Sequence, residues 1–128
     1  MTITTFNPLI ASPKADEIIA LLEELSFEKR HNIEGTNDES SFATCRMKHP
    51  EGFHADICKT EAILRDMTAI RMNVDNFEEA VGILTTNGFV NANGGKVTDL
   101  GSSKSVFMMS PSGFCISVVK HIKKEDRQ

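Results

Sequence analysis

The sequence predicts an α+β fold in which one order of elements, β-α-β-β-β, occurs twice. Three observations carry this. The 128 residues suit one compact unit with a core of its own. Each half holds an extended segment, then an amphipathic helical pattern, then short strands. The sequence also echoes itself at a shift of 61 or 62 positions.

The echo is concentrated at turns and helix ends. His49 to Lys59 lies over Ser110 to Lys120, with Pro50/Pro111, Gly52/Gly113, Phe53/Phe114 and Lys59/Lys120 identical. Asp16 to Phe27 lies over Glu78 to Phe89, where Glu17/Glu79, Leu22/Leu84 and Phe27/Phe89 coincide. The chain therefore reads as one domain, 1–128, made of two modules, 1–64 and 65–128.

The elements follow in order. Ile3 to Ile10 and Thr68 to Val74 are extended starts. The first helix places Ile18, Ile19, Leu21, Leu22 and Leu25 on one side, the second Ala80, Val81, Ile83 and Leu84. Ser12-Pro13 and Asp75 supply starts, because short polar side chains accept orphan helical amides and proline suits a first turn. Asn87-Gly88 ends the second helix through a left-handed glycine. Two or three short strands follow in each half, separated by Pro-x-Gly turns before Phe53 and Phe114 and by Asn93-Gly94-Gly95. Asn32 to Ser41 and Asn91 to Ser103 read as loops, either solvated connections or lids over a cleft.

Charge and cysteine usage exclude several classes. Fourteen Lys and Arg stand against 18 Asp and Glu, for a net −4. The first half carries 6 basic and 11 acidic residues, the second 8 and 7. Phosphate backbones are held by clustered cations, so no nucleic-acid partner is expected. The one basic cluster, Lys120 to Lys124, reads as a solvated tail. No run approaches ~18 apolar residues, so no membrane partner is expected. The first fourteen residues lack a charged start with a long apolar run, so no signal peptide is expected either. Cys45, Cys58 and Cys115 cannot all pair within one chain and form no C-x-x-C, which suits free thiols in the cytoplasm.

Strand alternation assigns the faces. Phe53, Ala55 and Ile57; Phe114, Ile116 and Val118; Pro8 and Ile10; and Ile70, Met72 and Val74 form an apolar set for the helices to cover. The opposite face carries Asn7 and Leu9; His54, Asp56 and Cys58; Ala69, Arg71 and Asn73; and Cys115, Ser117 and Val119. Such a mixed polar face suits a cleft for a small polar ligand, or else an ordinary solvated or dimer-contact surface. Arg71 fits bidentate recognition of a carboxylate or phosphate, or an ion pair with Asp56. A nucleophilic Cys58 or Cys115 would need a neighbouring cation such as His54 or Arg71. Met108-Met109 reads as core or interface packing. The chain has no phosphate-binding G-x-x-x-x-G-K-[ST] and no G-x-S-x-G nucleophile elbow.

Ile70-Arg-Met-Asn-Val-Asp75 before a Phe-Glu-Glu-Ala helix, then Asn87-Gly-Phe89 and Ser110-Pro-Ser-Gly-Phe114, resembles the vicinal oxygen chelate superfamily. That superfamily holds glyoxalase I, bleomycin-resistance proteins and extradiol dioxygenases. The resemblance spans about Met67 to His121, and more thinly Leu22 to Phe27 and His49 to Lys59. It implies paired βαβββ modules forming a curved, cupped eight-stranded sheet (the glyoxalase-like fold), often in a homodimer.

It also implies four metal-ligand positions in the first and last strands of the modules: Asn7, Asp56, Ala69 and Ser117. One carboxylate, an amide, a methyl group and a hydroxyl form a poor donor set for a divalent metal. His54 and Asp56 share a strand face, but two ligands on one strand rarely close a site. The expectation is a protein without metal or other cofactor that binds a small organic ligand through Asn7, His54, Asp56, Arg71 and Ser117 and has no catalytic residues. The alternative is a lyase or isomerase of glyoxalase I type, centred on Asp56 or using His54 as a base.

Overall fold

A computed structural model of the chain describes residues 1–34, 43–92, 95, 97–99, 101 and 103–121. Among these, the elements are β1 (Ile3–Ser12), α1 (Ala15–Glu24), β2 (Glu28–Glu34), β3 (Ala43–Lys48), β4 (His54–Lys59), β5 (Met67–Val74), α2 (Phe77–Thr86), β6 (Val90–Asn91), β7 (Thr98–Asp99), β8 (Ser103–Met109) and β9 (Cys115–His121). The class is mixed α+β, with nine strands among the described residues where eight were expected. The additional strand is β7, two residues inside the predicted Asn91–Ser103 loop that pair with Ser105 and Lys104 of β8.

The chain divides into two compact units: Asn7–Thr68, and Met1–Phe6 with Ala69–Gln128. In the first, the strand order is β2-β3-β4-β1. β2/β3 and β3/β4 are antiparallel, and β4 meets β1 in parallel with Leu9 beside Asp56. In the second, the order is β5-β9-β8-β6, with β7 also on β8. β5/β9 is parallel, with Arg71 beside Ser117, and β8/β9 and β6/β8 are antiparallel. Parallel neighbours need a crossover, and each helix lies within one.

Each unit has its own core. Ala15, Cys45, Met47 and Ile57 are buried in the first, with Ile10, Ile18, Ile19, Leu22 and Phe27 packed around them. Met72, Val74, Phe77, Ala80, Val106, Met108, Ile116 and Val118 form the second, with Ile70, Val81, Leu84 and Phe89. A fully buried side chain of this size contributes about 1.5–3 kcal/mol. The inward helical stripes are narrower than expected: Leu21, Leu25 and Ile83 point to solvent. Pro8, Phe53 and Phe114 also leave the apolar face. Both phenylalanines precede their strands and stay about half exposed, in edge-on contact with Phe27 and Phe89 respectively.

The helix ends explain why the echo falls where it does. After α1, Phe27 N–H reaches the Leu22 carbonyl and Ser26 N–H the Glu23 carbonyl. After α2, Phe89 reaches Leu84 and Gly88 reaches Thr85. This crossed pair of bonds closes a helix through one left-handed residue, with an apolar contact between the outer two positions. Leu22/Leu84 and Phe27/Phe89 are those two positions. The left-handed residue is Ser26 (φ 78°) in one unit and Gly88 (φ 91°) in the other. Gly52 and Gly113 likewise share a left-handed conformation (φ 106° and 101°) in the turns before β4 and β9.

Helix starts lie one or two residues beyond those expected. Lys14 precedes α1 and makes no side-chain cap; Ser12 Oγ instead accepts from Lys14 N–H and donates to Asp66. Asn76, not Asp75, caps α2 by accepting from Glu79 N–H. Asp75 accepts from Thr2 N–H at 2.7 Å. The predicted Asn32–Ser41 loop begins later, since β2 runs to Glu34; its residues 35–41 lie outside the described residues. Lys120 and His121 complete β9 instead of opening a tail, and residues 122–128 lie outside the described residues. Among the described residues no helix is long and apolar enough to cross a membrane.

Candidate functional site

In the unit Asn7–Thr68 the polar face converges on Asp56. The turn between Lys48 and His54 fixes the β3/β4 register, which sets Arg46 opposite Asp56. Arg46 Nε donates to Asp56 Oδ1 at 3.0 Å and Nη2 to Oδ2 at 3.5 Å. From β1, Asn7 Nδ2 donates to Oδ2 at 3.1 Å and to the Pro8 carbonyl at 3.0 Å. Asp56 is 1% exposed and Asn7 4%, while the Arg46 side chain remains 30% exposed. A carboxylate this deep requires such partners, because an unpaired buried charge is costly.

The orientation of the Asn7 amide follows from its neighbours. A carboxylate and a carbonyl both only accept, so Nδ2 must face them. Oδ1 is thereby turned away, buried and without a hydrogen-bond partner. Thr44 is buried on this face, and His54 and Cys58 stand half-buried on either side of Asp56 along β4. The structure thus brings Asn7 and Asp56 together and adds Arg46, which the face assignment did not reach.

In the other unit, Arg71 and Ser117 are register neighbours on β5 and β9, both half-buried. Arg71 Nε lies 3.4 Å from Asn73 Oδ1, and Asn73 is buried. Ala69 is buried two residues before Arg71. Cys115 is buried, and desolvation pushes its thiol up from the ordinary range, away from the thiolate a nucleophile needs. Burial also raises the Cys45 thiol, in spite of Lys29, with Glu23 and Asp56 adding to the rise.

Solved structures share this architecture. Methylmalonyl-CoA epimerase from Mycobacterium tuberculosis superposes with a TM-score of 0.69 at 14% identity, over 96% of this chain and 91% of that one. At this identity the likeness is one of fold. A glyoxalase/bleomycin resistance protein/dioxygenase superfamily member from Vibrio splendidus gives a TM-score of 0.58 at 13% identity, over 93% and 99% of the two chains. A hypothetical protein from Bacillus halodurans gives 0.69 at 10% identity, over 97% and 98%. No family model and no curated protein matches the sequence.

Metal-dependent members of the superfamily that the sequence resembles hold the ion at four positions, which here are Asn7, Asp56, Ala69 and Ser117. Asp56 offers a carboxylate already held by a guanidinium and an amide. Asn7 offers one amide oxygen, Ser117 a hydroxyl and Ala69 a methyl group. Divalent zinc, nickel or iron takes three or four imidazole, thiolate or carboxylate donors. Among the described residues no group of three or more His, Cys, Asp or Glu side chains is placed to supply them. The residues do not fit such a metal.

Proposed function

We propose that this glyoxalase-like protein binds a small organic ligand through side chains alone, without a metal. In the unit Asn7–Thr68 the binding residues are Asn7, His54 and Asp56; in the other unit Arg71 and Ser117 carry the same role. One observation carries the reading: the only metal-type carboxylate among the four positions, Asp56, is neutralised by Arg46 from the same chain. A cation delivered there would meet a guanidinium first.

We read the two units as copies of one module, and the protein as a cytoplasmic homodimer that binds or sequesters its ligand. A second reading comes from the structural relatives described as methylmalonyl-CoA epimerases, which suggests an isomerase acting on a thioester.

The test uses protein purified without tag or chelator. Metal content by mass spectrometry is expected well below one Ni, Zn, Mn or Fe per chain. A thermal-shift panel of small organic acids and thioesters, methylmalonyl-CoA included, is expected to reveal a stabilising ligand. A ligand at a hundred times its Kd adds about 2.7 kcal/mol, a rise of several degrees in Tm. Stoichiometric metal whose removal abolishes ligand binding would overturn the proposal, and turnover of methylmalonyl-CoA would establish the second reading.

A further inference from the structure

The outer side of α1 is apolar and acidic at once. Going round the helix at about 100° per residue, the exposed Glu24 and Glu17 give way to Leu21 and Leu25, and these to the half-buried Ile18 and Leu22. Leu21 is 53% and Leu25 55% exposed. Spaced at i and i+4, the two leucines form one short stripe with glutamates along its outer edge.

Closing the helix does not require this stripe. At the shift of 62 positions Glu23, Glu24 and Leu25 lie over Thr85, Thr86 and Asn87 of α2. Leu25 and Asn87 end their helices in nearly one conformation, φ −90° and ψ 13° against φ −93° and ψ 16°. The Leu25 N–H reaches the Leu21 and Leu22 carbonyls, and the Asn87 N–H the matching Ile83 and Leu84 carbonyls. Asn87 Nδ2 also donates to the Ile83 carbonyl at 2.8 Å, a bond no leucine can make. Charge differs between the helices as well. α1 holds Asp16, Glu17, Glu23 and Glu24 and no Lys or Arg. The last turn is the negative end of a helix, where cations stabilise and carboxylates do not. Glu23 and Glu24 stand there, where α2 has two threonines.

We propose that α1 docks a basic amphipathic helix of another protein. The apolar face of that helix covers Leu21 and Leu25, with anchors at i, i+3, i+4 and i+7. Its Lys and Arg side chains meet Glu17 and Glu24 along the stripe and offset the negative helix end. Charge decides among occupants. A second copy docking across a two-fold axis would set this acidic surface against itself. An anionic lipid surface attracts basic segments and repels this one.

The experiment is fluorescence anisotropy on the full chain with labelled peptides of about eighteen residues, long enough to form a helix. One has leucines at helical spacing and lysines elsewhere, one the same composition scrambled, and one glutamate in place of lysine. The ordered basic peptide is expected to bind roughly tenfold more tightly than either of the others, the scale of burying what remains exposed of two leucines. Leu21→Gln/Leu25→Asn, which installs the residue that closes α2, should weaken it by a similar factor without lowering the urea midpoint. Glu17→Gln/Glu24→Gln should flatten the dependence of binding on salt. The comparison of peptides on the unaltered chain stands whatever the variants do. Absence of binding, equal binding of the scrambled peptide, or an affinity unchanged by Leu21→Gln/Leu25→Asn would overturn the inference. So would a dimer that this leucine variant dissociates, or co-sedimentation with phosphatidylserine vesicles that it abolishes, because either result gives the stripe a different occupant.

Discussion

Truncating Arg46 to methionine tests the centre of the fold's polar face. Asp56 is 1% exposed, and its carboxylate accepts from Arg46 Nε and Nη2 and from Asn7 Nδ2. The variant removes the guanidinium from a buried charge that Asn7 Nδ2 also holds. Removing one partner of a buried ion pair costs about 3–5 kcal/mol. Arg46 is partly exposed, so water can follow the vacated side, and we set the loss at about 2–4 kcal/mol. For a domain of this length that is a fall of roughly 8–15 °C in Tm. Asp56→Asn should cost less, about 1–2 kcal/mol, because the stranded guanidinium can turn toward solvent while a stranded buried carboxylate cannot. The double variant Arg46→Met/Asp56→Leu should recover most of the loss, since apolar replacements of buried pairs are often neutral. Urea unfolding with a constant m-value is the assay. An Arg46→Met loss below 1 kcal/mol, or equal losses for Arg46→Met and Asp56→Asn, would refute the reasoning.

The remaining predictions concern turns, thiols and acid. Ser26→Gly should stabilise the chain by about 0.5–1 kcal/mol, because Ser26 sits at φ 78° where its counterpart is glycine. Gly88→Ala should destabilise by at least as much, since a Cβ there would add 3.3 Å contact with Pro111 Cγ to a left-handed backbone; both are read from the urea midpoint. A chromogenic disulfide reagent at pH 8 should modify Cys58 first, with Cys45 and Cys115 reacting only on unfolding, because those two thiols are buried and their ionisation is pushed up. If Cys58 reacts no faster than the other two, that assignment is wrong. The Thr2 N–H holds the Asp75 carboxyl below its ordinary range, so its contribution to stability is complete above about pH 4 and is lost as pH falls through the lowered folded value. Asp75→Asn should therefore flatten the acid side of the stability profile, and an unchanged slope below pH 4 would count against it.

The fold was legible because its punctuation repeats. Leu22, Phe27, Leu84 and Phe89 hold the outer positions of helix-closing turns, where only certain residues serve, so the same types recur in both halves. Alternation also found Asn7 and Asp56 on one face. It does not reach Arg46, because the alternation argument covers only the first and last strands of each half. Yet Thr44, Arg46 and Lys48 alternate with the core residues Cys45 and Met47, and the turn before His54 would have carried that register across to Asp56. Phe53 and Phe114 misled for a physical reason: they end turns and are not yet strand, so their rings pack edge-on near the surface. The acceptor left over on Asn7 had no sequence signal, because it depends on which end of an amide faces a neighbouring carboxylate.

β1 gives Ile3–Phe6 to one unit and Asn7–Ser12 to the other. Thr2 and Thr4 bond the Asp75 and Asn73 backbone, while Leu9 to Ser12 align with β4. A ribosome therefore finishes the first residues of the later unit before any of the earlier one, and they must wait some sixty residues for their neighbours. Severing the polypeptide after Thr68 would strip the later unit of the Thr2 and Thr4 bonds to Asp75 and Asn73, so gene-splitting or permutation of this protein should keep β1 and residues 69–121 in one piece.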